Sequence, residues 1–267
     1  MSDAAVPAAR TRVAFPPNWP ARIGWVVLLI YVAYASTILD LTWDRFVSGL
    51  DHGAKFIARM FPPDFSADKL ALLYVGMTES LQIAIIATVV GVLLSLPLGL
   101  AAARNLAPQP VAWAARGLIA LFRSLHPVIV AILFVKSVGF GALAGILALI
   151  VASLGFLSKL VAESVEEMSM KPVEAVRATG SPFLSVVTMG VLPQITPRFI
   201  GFAAYQLDSN LRNSALVGIV GGGGIGATLL TAFQRFDYDF VLTIVLAIIA
   251  IVMVGEIVSG WMRRMFQ

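Results

Sequence analysis

The sequence contains no cysteine, which excludes a disulfide framework, a thiolate metal site and a cysteine nucleophile on this chain. Histidine is nearly absent as well: His52 and His126 are the only two. Neither H-E-x-x-H nor G-x-S-x-G occurs, so two common hydrolase signatures are missing. Chemistry by a serine and aspartate, or by paired carboxylates, stays open as the reading of an integral-membrane enzyme. Charge is scarce, at 13% of 267 residues. What fills the space is apolar: 59% hydrophobic residues and a mean hydropathy of +0.89. One soluble core cannot hide that much apolar surface, so lipid must cover much of it. The net charge of +4 does not indicate nucleic-acid binding, because the basic residues sit at the ends of apolar runs instead of forming one stripe.

A membrane-crossing helix needs roughly 20 mainly apolar residues, and six runs qualify: residues 23–39, 70–103, 111–135, 140–157, a fifth beginning near Pro197, and 240–261. The first follows Arg10, Arg12, Arg22 and the stretch Pro16-Pro17-Asn18-Trp19-Pro20. Ala33-Tyr34-Ala35 matches a signal-cleavage pattern, but the apolar run continues to Ile38 and Leu39, which favours an uncleaved anchor. Residues 40–69 mix both charges with Trp43, Phe46, Leu50, Phe56 and Ile57, reading either as a surface-lying amphipathic helix or as a plain outside connector. Pro97 is expected to kink the second span. Lys and Arg flank the runs so that the N-terminus, the 104–116 turn, the 159–198 loop and the C-terminus fall on one side, the cytoplasm.

The 159–198 stretch carries Lys159, Glu163, Glu166, Glu167, Lys171, Glu174 and Arg177 and is patterned as a pair of short helices. Pro172 suits a first helical turn, Glu174 suits the positive N-terminal end, and Gly180 suits a left-handed stop. Ser181-Pro182 reads as a second start, and Thr196-Pro197 as the opening of the fifth span. The result is a compact helical knob facing the cytosol.

Gly221-Gly222-Gly223-Gly224-Ile225-Gly226 contains a G-x-G-x-x-G match. No strand-and-crossover pattern surrounds it, and no Lys-Ser or Lys-Thr follows, so the parts that cradle a nucleotide phosphate are missing. The glycines read instead as close backbone approach or a helix break between the fifth and sixth spans.

Glu174-Ala175-Val176, Gly180 and Leu192-Pro193 stand at the spacing of the cytoplasmic loop motif of ABC importer permeases, and the chain resembles that family. Val176 replaces a second alanine of the motif, and Gly190 stands where isoleucine is usual. The resemblance implies an all-α integral membrane protein of about six transmembrane helices, with a coupling helix in the loop between spans four and five. By that reading residues 1–22 are a cytoplasmic tail, 23–267 the permease domain and 159–196 the coupling loop. Glu174, Ala175, Arg177, Gly180, Leu192 and Pro193 would meet a separate ATPase subunit. The segments Phe122-Arg123-Ser124-Leu125-His126-Pro127, Val138-Gly139-Phe140-Gly141, Leu211-Arg212-Asn213-Ser214 and Ala101-Ala102-Ala103-Arg104-Asn105 are similar to phosphonate importer permeases, with methionine importer permeases as the alternative. That resemblance implies a phosphorus oxyanion (phosphonate, phosphite or phosphate) carried across a bacterial inner membrane. It also implies a second permease copy, two ATP-binding subunits holding ATP and Mg, and an extracytoplasmic binding protein. No cofactor is expected on this chain.

Ionisable groups inside spans are costly and often functional, which singles out Arg123, His126, Asp208 and Arg212. Arg116 and Arg123 share roughly one helix face, and Asp208 and Arg212 have the spacing to neutralise one another. Gln206, Asn210 and Asn213 form a polar stripe suited to a bundle interior or a water-filled path. Arg123, His126, Gln206, Asn210, Arg212 and Asn213 are therefore the candidate path residues. A passive channel is the remaining rival.

Overall fold

The computed structural model describes residues 19–266, with side chains through Trp261. Arg10, Arg12, most of the expected tail 1–22 and the side chains of Arg263 and Arg264 lie outside the described residues. The chain divides into two compact units, Met1–Ala58 and Arg59–Gln267.

In the first unit, α1 (Trp19–Ile38) has no buried residue and is apolar all round, the signature of a helix whose solvent is lipid. The helix α2 (Trp43–Arg59) carries Trp43, Phe46, Val47, Leu50 and Ile57 at helical spacing on one face. Asp51 and Lys55 pair on the other at 2.6 Å. Of the two readings of residues 40–69, this pattern selects the amphipathic helix.

The second unit is built on α3 (Ala67–Ala102) and α6 (Ala142–Glu167). In lipid, helices gain little from burying apolar surface against each other, so close approach of small residues matters more. The buried face of α3 accordingly runs Gly76, Ser80, Ala84, Ala87, Gly91, Ser95, Gly99, Ala102. A side chain at Gly99 would meet Val161 at 2.6 Å, and one at Gly91 would meet Cβ of Ser153 at 2.5 Å. Pro97 is accommodated inside α3, which continues to Ala102.

The third expected span is not one helix. The chain forms α4 (Gln109–Ser124) and α5 (Pro127–Val138), bent by 90° at the break. The cause is local: a proline disfavours helical backbone in the residue before it, and His126 takes φ −72°, ψ 138° ahead of Pro127. The imidazole Nδ1 of His126 then caps α5 by accepting the Val128 N–H at 3.4 Å. Counting the bent pair as one crossing, the described residues hold six candidate spans, and five without it.

The fourth span runs ten residues past its apolar stretch as α6, to Glu167, so Lys159 and Glu163 pair on a helix at 3.2 Å. After α7 (Lys171–Ala178), a one-turn α8 (Phe183–Ser185) passes through a π-helical stretch, Val186–Val191, into α9 (Leu192–Val217). Thr196-Pro197 therefore does not open the fifth span. Pro193 sits in the first turn of α9, where the π-helical bonds, the Leu192 N–H to the Val187 carbonyl among them, give way to the α-helical ladder. Pro197 lies inside the helix, and Thr196 Oγ1 donates back to the Leu192 carbonyl at 2.6 Å. A second π-helical stretch, Gly218–Gly222, leads to the short apolar α10 (Ile225–Gln234), and α11 (Tyr238–Phe266) closes the unit.

Candidate functional site

Two places in the second unit collect the candidate residues. The first is the knob formed by α7, α8 and the π-helical stretch. Pro172 lies in the first turn of α7, and Glu174 is in that turn as well, favourably placed at the positive end of the helix. Gly180 adopts φ +73° and its N–H bonds the Arg177 carbonyl at 3.0 Å, the left-handed stop that glycine supplies at little cost. Pro182, one residue later than expected from Ser181-Pro182, takes the N-cap of α8.

One side chain holds α7 down. Val173 is fully buried among Val161, Val165, Val186, Val187, Val191 and Ile195. A side chain at Gly190 would meet Val173 Cα at 3.1 Å, so a residue as bulky as isoleucine would crowd the α7 backbone there. That accounts for glycine at the motif position where isoleucine is usual. Gln194 Nε2 donates to the Gly190 carbonyl at 2.6 Å and to the Ser169 carbonyl at 3.2 Å, tying the base of α9 to the start of the knob. Glu174, Ala175, Arg177, Gly180 and Pro193 are exposed, and Leu192 is half-buried. Beside them Phe183, Leu184 and Met189 stand 61–72% exposed. These three apolar residues carry no motif signal, yet they are exposed on the same knob as Glu174 and Arg177.

The second place lies where α3, α6 and α9 meet. Asn210 is fully buried and Gln206 is 4% exposed. Asn210 Nδ2 donates to Thr88 Oγ1 at 2.9 Å and to Ser153 Oγ at 3.0 Å, and Gln206 Nε2 donates to Asn210 Oδ1 at 3.0 Å. Ser153 and Thr88 return their own protons to the carbonyls of Leu149 and Ala84, each at 2.7 Å. Each donor thus has an acceptor, as a low-dielectric interior demands, and one asparagine clasps three helices. Interhelical hydrogen bonds in membranes average about 0.6 kcal/mol each. Asn210→Leu removes three side-chain partners and leaves Gln206 Nε2 only its bond to Ser153 Oγ at 3.0 Å, so a loss of about 2 kcal/mol is expected. Thermal unfolding of the detergent-solubilised protein checks this. Asn213→Ala, which loses only a 3.4 Å contact to Ser209, is the mild control.

Of the remaining candidates, Arg123, His126 and Arg212 are exposed and Asn213 is half-buried. Arg212 pairs with Asp208 as its spacing predicted, the aspartate buried and the arginine side chain 49% exposed. Arg123 and His126 flank the break between α4 and α5 and are both exposed. The break rests on α6 at Gly155, where a side chain would meet the Arg123 backbone nitrogen at 3.0 Å. Gly155 is two residues from Ser153, so the break and the asparagine clasp share one level of α6. Arg123 and Arg116 line a common crevice with Lys159 and Glu163, as expected of one helix face. Gln206 and Asn210 are brought together, whereas Arg212 bonds Asp208 and neither Arg123 nor His126.

The glycine run is a backbone corner. Gly221, Gly223 and Gly224 have φ of +100°, +78° and +73°, which residues with a side chain rarely adopt. Ser80 Oγ accepts the Ile225 N–H at 2.8 Å, and the Gly141 N–H bonds the Gly221 carbonyl at 2.9 Å. Close approach and a helix break, the two readings of this run, both occur. Among the described residues no group of three or more His, Cys, Asp or Glu side chains has metal-holding geometry.

Residues 95–267 match the family model described as binding-protein-dependent transport system inner membrane component. The chain is 40% identical to the phosphate-import permease protein of Mycolicibacterium smegmatis over 77% of its own length and 38% of that protein's. It is 36% identical to the phosphite transport system permease protein of Stutzerimonas stutzeri over 95% of its own length and 92% of that protein's. In structure it is similar to the MetNI methionine ABC transporter in an inward-facing form, with a TM-score of 0.65 and 23% identity, covering 76% of this chain and 100% of that one. That last likeness concerns the fold. The chain belongs to the family of inner membrane components of binding-protein-dependent transport systems.

Proposed function

We propose that this chain is the permease subunit of an ATP-driven importer that moves a phosphorus oxyanion, a phosphonate, phosphite or phosphate, into the cytoplasm by alternating access. The observation that carries the reading is the near full-length match to a phosphite permease, joined by a phosphate-import permease at 40% identity. The methionine alternative has the shared fold in its favour.

The path runs by Arg123 and His126 at the span break and by Arg212 and Asn213 on α9, with Gln206 and Asn210 holding α9 in place. A charged side chain at the centre of a bilayer costs about 2.5–3.5 kcal/mol or more. Exposed Arg123 and half-exposed Arg212 are therefore better accounted for by a water-filled path, or by the facing surface of a second copy, than by lipid. Arg212 spends one donor on Asp208, and a guanidinium retains others for an anion. Arg212→Ala is expected to lower uptake at least about tenfold while leaving membrane insertion intact, read as transport rate per inserted protein. Unchanged uptake kinetics remove Arg212 from the path.

The partners follow from the same reading: a second permease copy, two ATP-binding subunits carrying ATP and Mg, and an extracytoplasmic binding protein that selects the solute. The loop 159–196 faces the cytoplasm with the tail 1–22 and the C-terminus, and Glu174, Ala175, Arg177, Gly180, Leu192 and Pro193 belong to the surface that meets the ATPase. What supports docking there is the exposure of the motif side chains beside Phe183, Leu184 and Met189, since exposed apolar clusters mark interaction surfaces. Purification of the intact complex with its binding protein, followed by identification of the bound solute, tests the substrate. A phosphorus oxyanion is the expected occupant, and methionine overturns the assignment.

A further inference from the structure

The turn joining α3 to α4 is latched to the end of α6 by groups that no part of the transport path uses. Glu166 Oε1 accepts the Arg104 backbone N–H at 2.8 Å and the Arg116 guanidinium at 2.6 Å. Arg116 Nε also donates to the Ala102 carbonyl at 2.9 Å, and Asn105 Nδ2 donates to the Val165 carbonyl at 2.8 Å. These bonds place the turn at the end of the bundle that carries α7. Beside the latch, and sharing Arg104 and Arg116 with it, a crevice of about 390 Å³ opens, lined also by Gln109, Ala112 and Trp113. It holds two guanidiniums and a side-chain amide, and no carboxylate lines it. The Arg104 guanidinium lies 6.0 Å from the Trp113 ring centroid, an attraction that fixes a cation without consuming its hydrogen-bond donors.

The surroundings identify what sort of anion fits. Trp113 is 64% exposed, and Val111, Leu118 and Leu121 are exposed on the same helix. Of these Trp113 itself lines the crevice and Leu121 lies on the nearer flank of the helix, and an exposed tryptophan beside arginines at a span end is typical of the headgroup level of a bilayer. A free oxyanion would use the guanidiniums but leave Trp113 and Leu121 bare. A phospholipid uses both. We propose that this crevice binds the phosphate of an anionic phospholipid, with Arg104, Arg116 and Gln109 as donors and the acyl chains lying along Trp113 and Leu121. Basic pockets at the membrane interface bind lipid headgroups by this combination. Because Arg116 also grips Glu166, and α6 leads directly into α7, the lipid shares its ligand with the latch that steadies the knob. The inference rests on the spans alone and is independent of the solute transported.

The test uses the intact transporter in nanodiscs of phosphatidylcholine doped with phosphatidylglycerol, with co-retained lipid measured by native mass spectrometry. Wild type is expected to retain phosphatidylglycerol over phosphatidylcholine, and Arg104→Gln to lower that preference about tenfold, or ~1.4 kcal/mol, while its backbone bond to Glu166 persists. Trp113→Leu is expected to lower it by less, since the guanidiniums remain. Excess inorganic phosphate is expected to leave the retained lipid in place. Equal retention by wild type and Arg104→Gln overturns the proposal, as does displacement by inorganic phosphate, which would make the crevice a free-anion site. Cross-linking of two copies through a cysteine introduced at Trp113 would overturn it too, by showing the face covered by protein. A failure here would leave solute selection and ATP coupling untouched.

Discussion

Gly180→Val is expected to abolish ATP-driven uptake and co-purification of the ATPase while the spans still insert. The residue holds φ +73°, and nothing lies within 4 Å of where its side chain would project, so the penalty is conformational and not steric crowding. A left-handed conformation costs an L-residue roughly 1–2 kcal/mol, and a β-branched one is a true outlier there. The backbone would relax to negative φ, redirecting the chain between α7 and α8 and breaking up the surface on which Glu174, Arg177, Phe183 and Leu184 stand. Gly180→Asn is the rescue, because asparagine tolerates the left-handed region, and it should keep at least about half of wild-type transport. Equal activity of the valine and asparagine variants would show that the shape of the knob does not matter for coupling.

Gly226→Ala is expected to have the largest structural effect of any conservative change in the chain. A methyl group there would sit inside van der Waals contact with the Ala215 carbonyl oxygen and 2.8 Å from the Ile219 backbone nitrogen. Both obstacles are main chain and cannot swing aside, so the corner where α9 turns into α10 must open. Overpacking in well-packed interiors costs about 1–3 kcal/mol, occasionally more, and the rigid neighbours put this site at or above the upper end. The expected readout is loss of monodisperse protein on extraction, with uptake falling below detection. Gly201→Ala, on the same α9 with nothing within 4 Å, is the control. It should be neutral or stabilise by up to about 1 kcal/mol, because alanine is the better helix former.

Much of the architecture was legible because lipid imposes a length and a composition on anything that crosses it. The apolar runs gave the spans, and the motif spacing located α7 and its stop at Gly180. The break between α4 and α5 was missed because a hydropathy sum over residues 111–135 is blind to one His-Pro step, whose effect is on backbone angles. The start of α9 was misplaced for a related reason. Thr196-Pro197 looks like a helix start, but the helical chain already runs from Phe183 into α9, and the later proline is tolerated with help from the Thr196 hydroxyl. Gln206 and Asn210 were recognisable as a stripe. Their role was not, since the acceptor Thr88 lies 122 residues away in sequence from Asn210, and only packing brings α3, α6 and α9 to one level. The small-residue stripe of α3 was present as a four-residue periodicity from Gly76 to Gly99 and could have predicted the tight pairing with α6. Exposed Phe183 and Leu184 had no such signal, because the one-turn α8 has too few residues to show a period, and Met189 follows in a π-helical stretch that keeps a different one.

As a proposed importer permease, this chain would form a pathway opened by work done on another subunit. The most direct measurement is uptake of radiolabelled phosphite into proteoliposomes containing the complete complex, with ATP and binding protein each supplied or withheld. Accumulation above the external concentration that requires both is the predicted result. Uptake that persists without the ATPase, stopping at equal concentrations inside and out, would identify a passive channel instead.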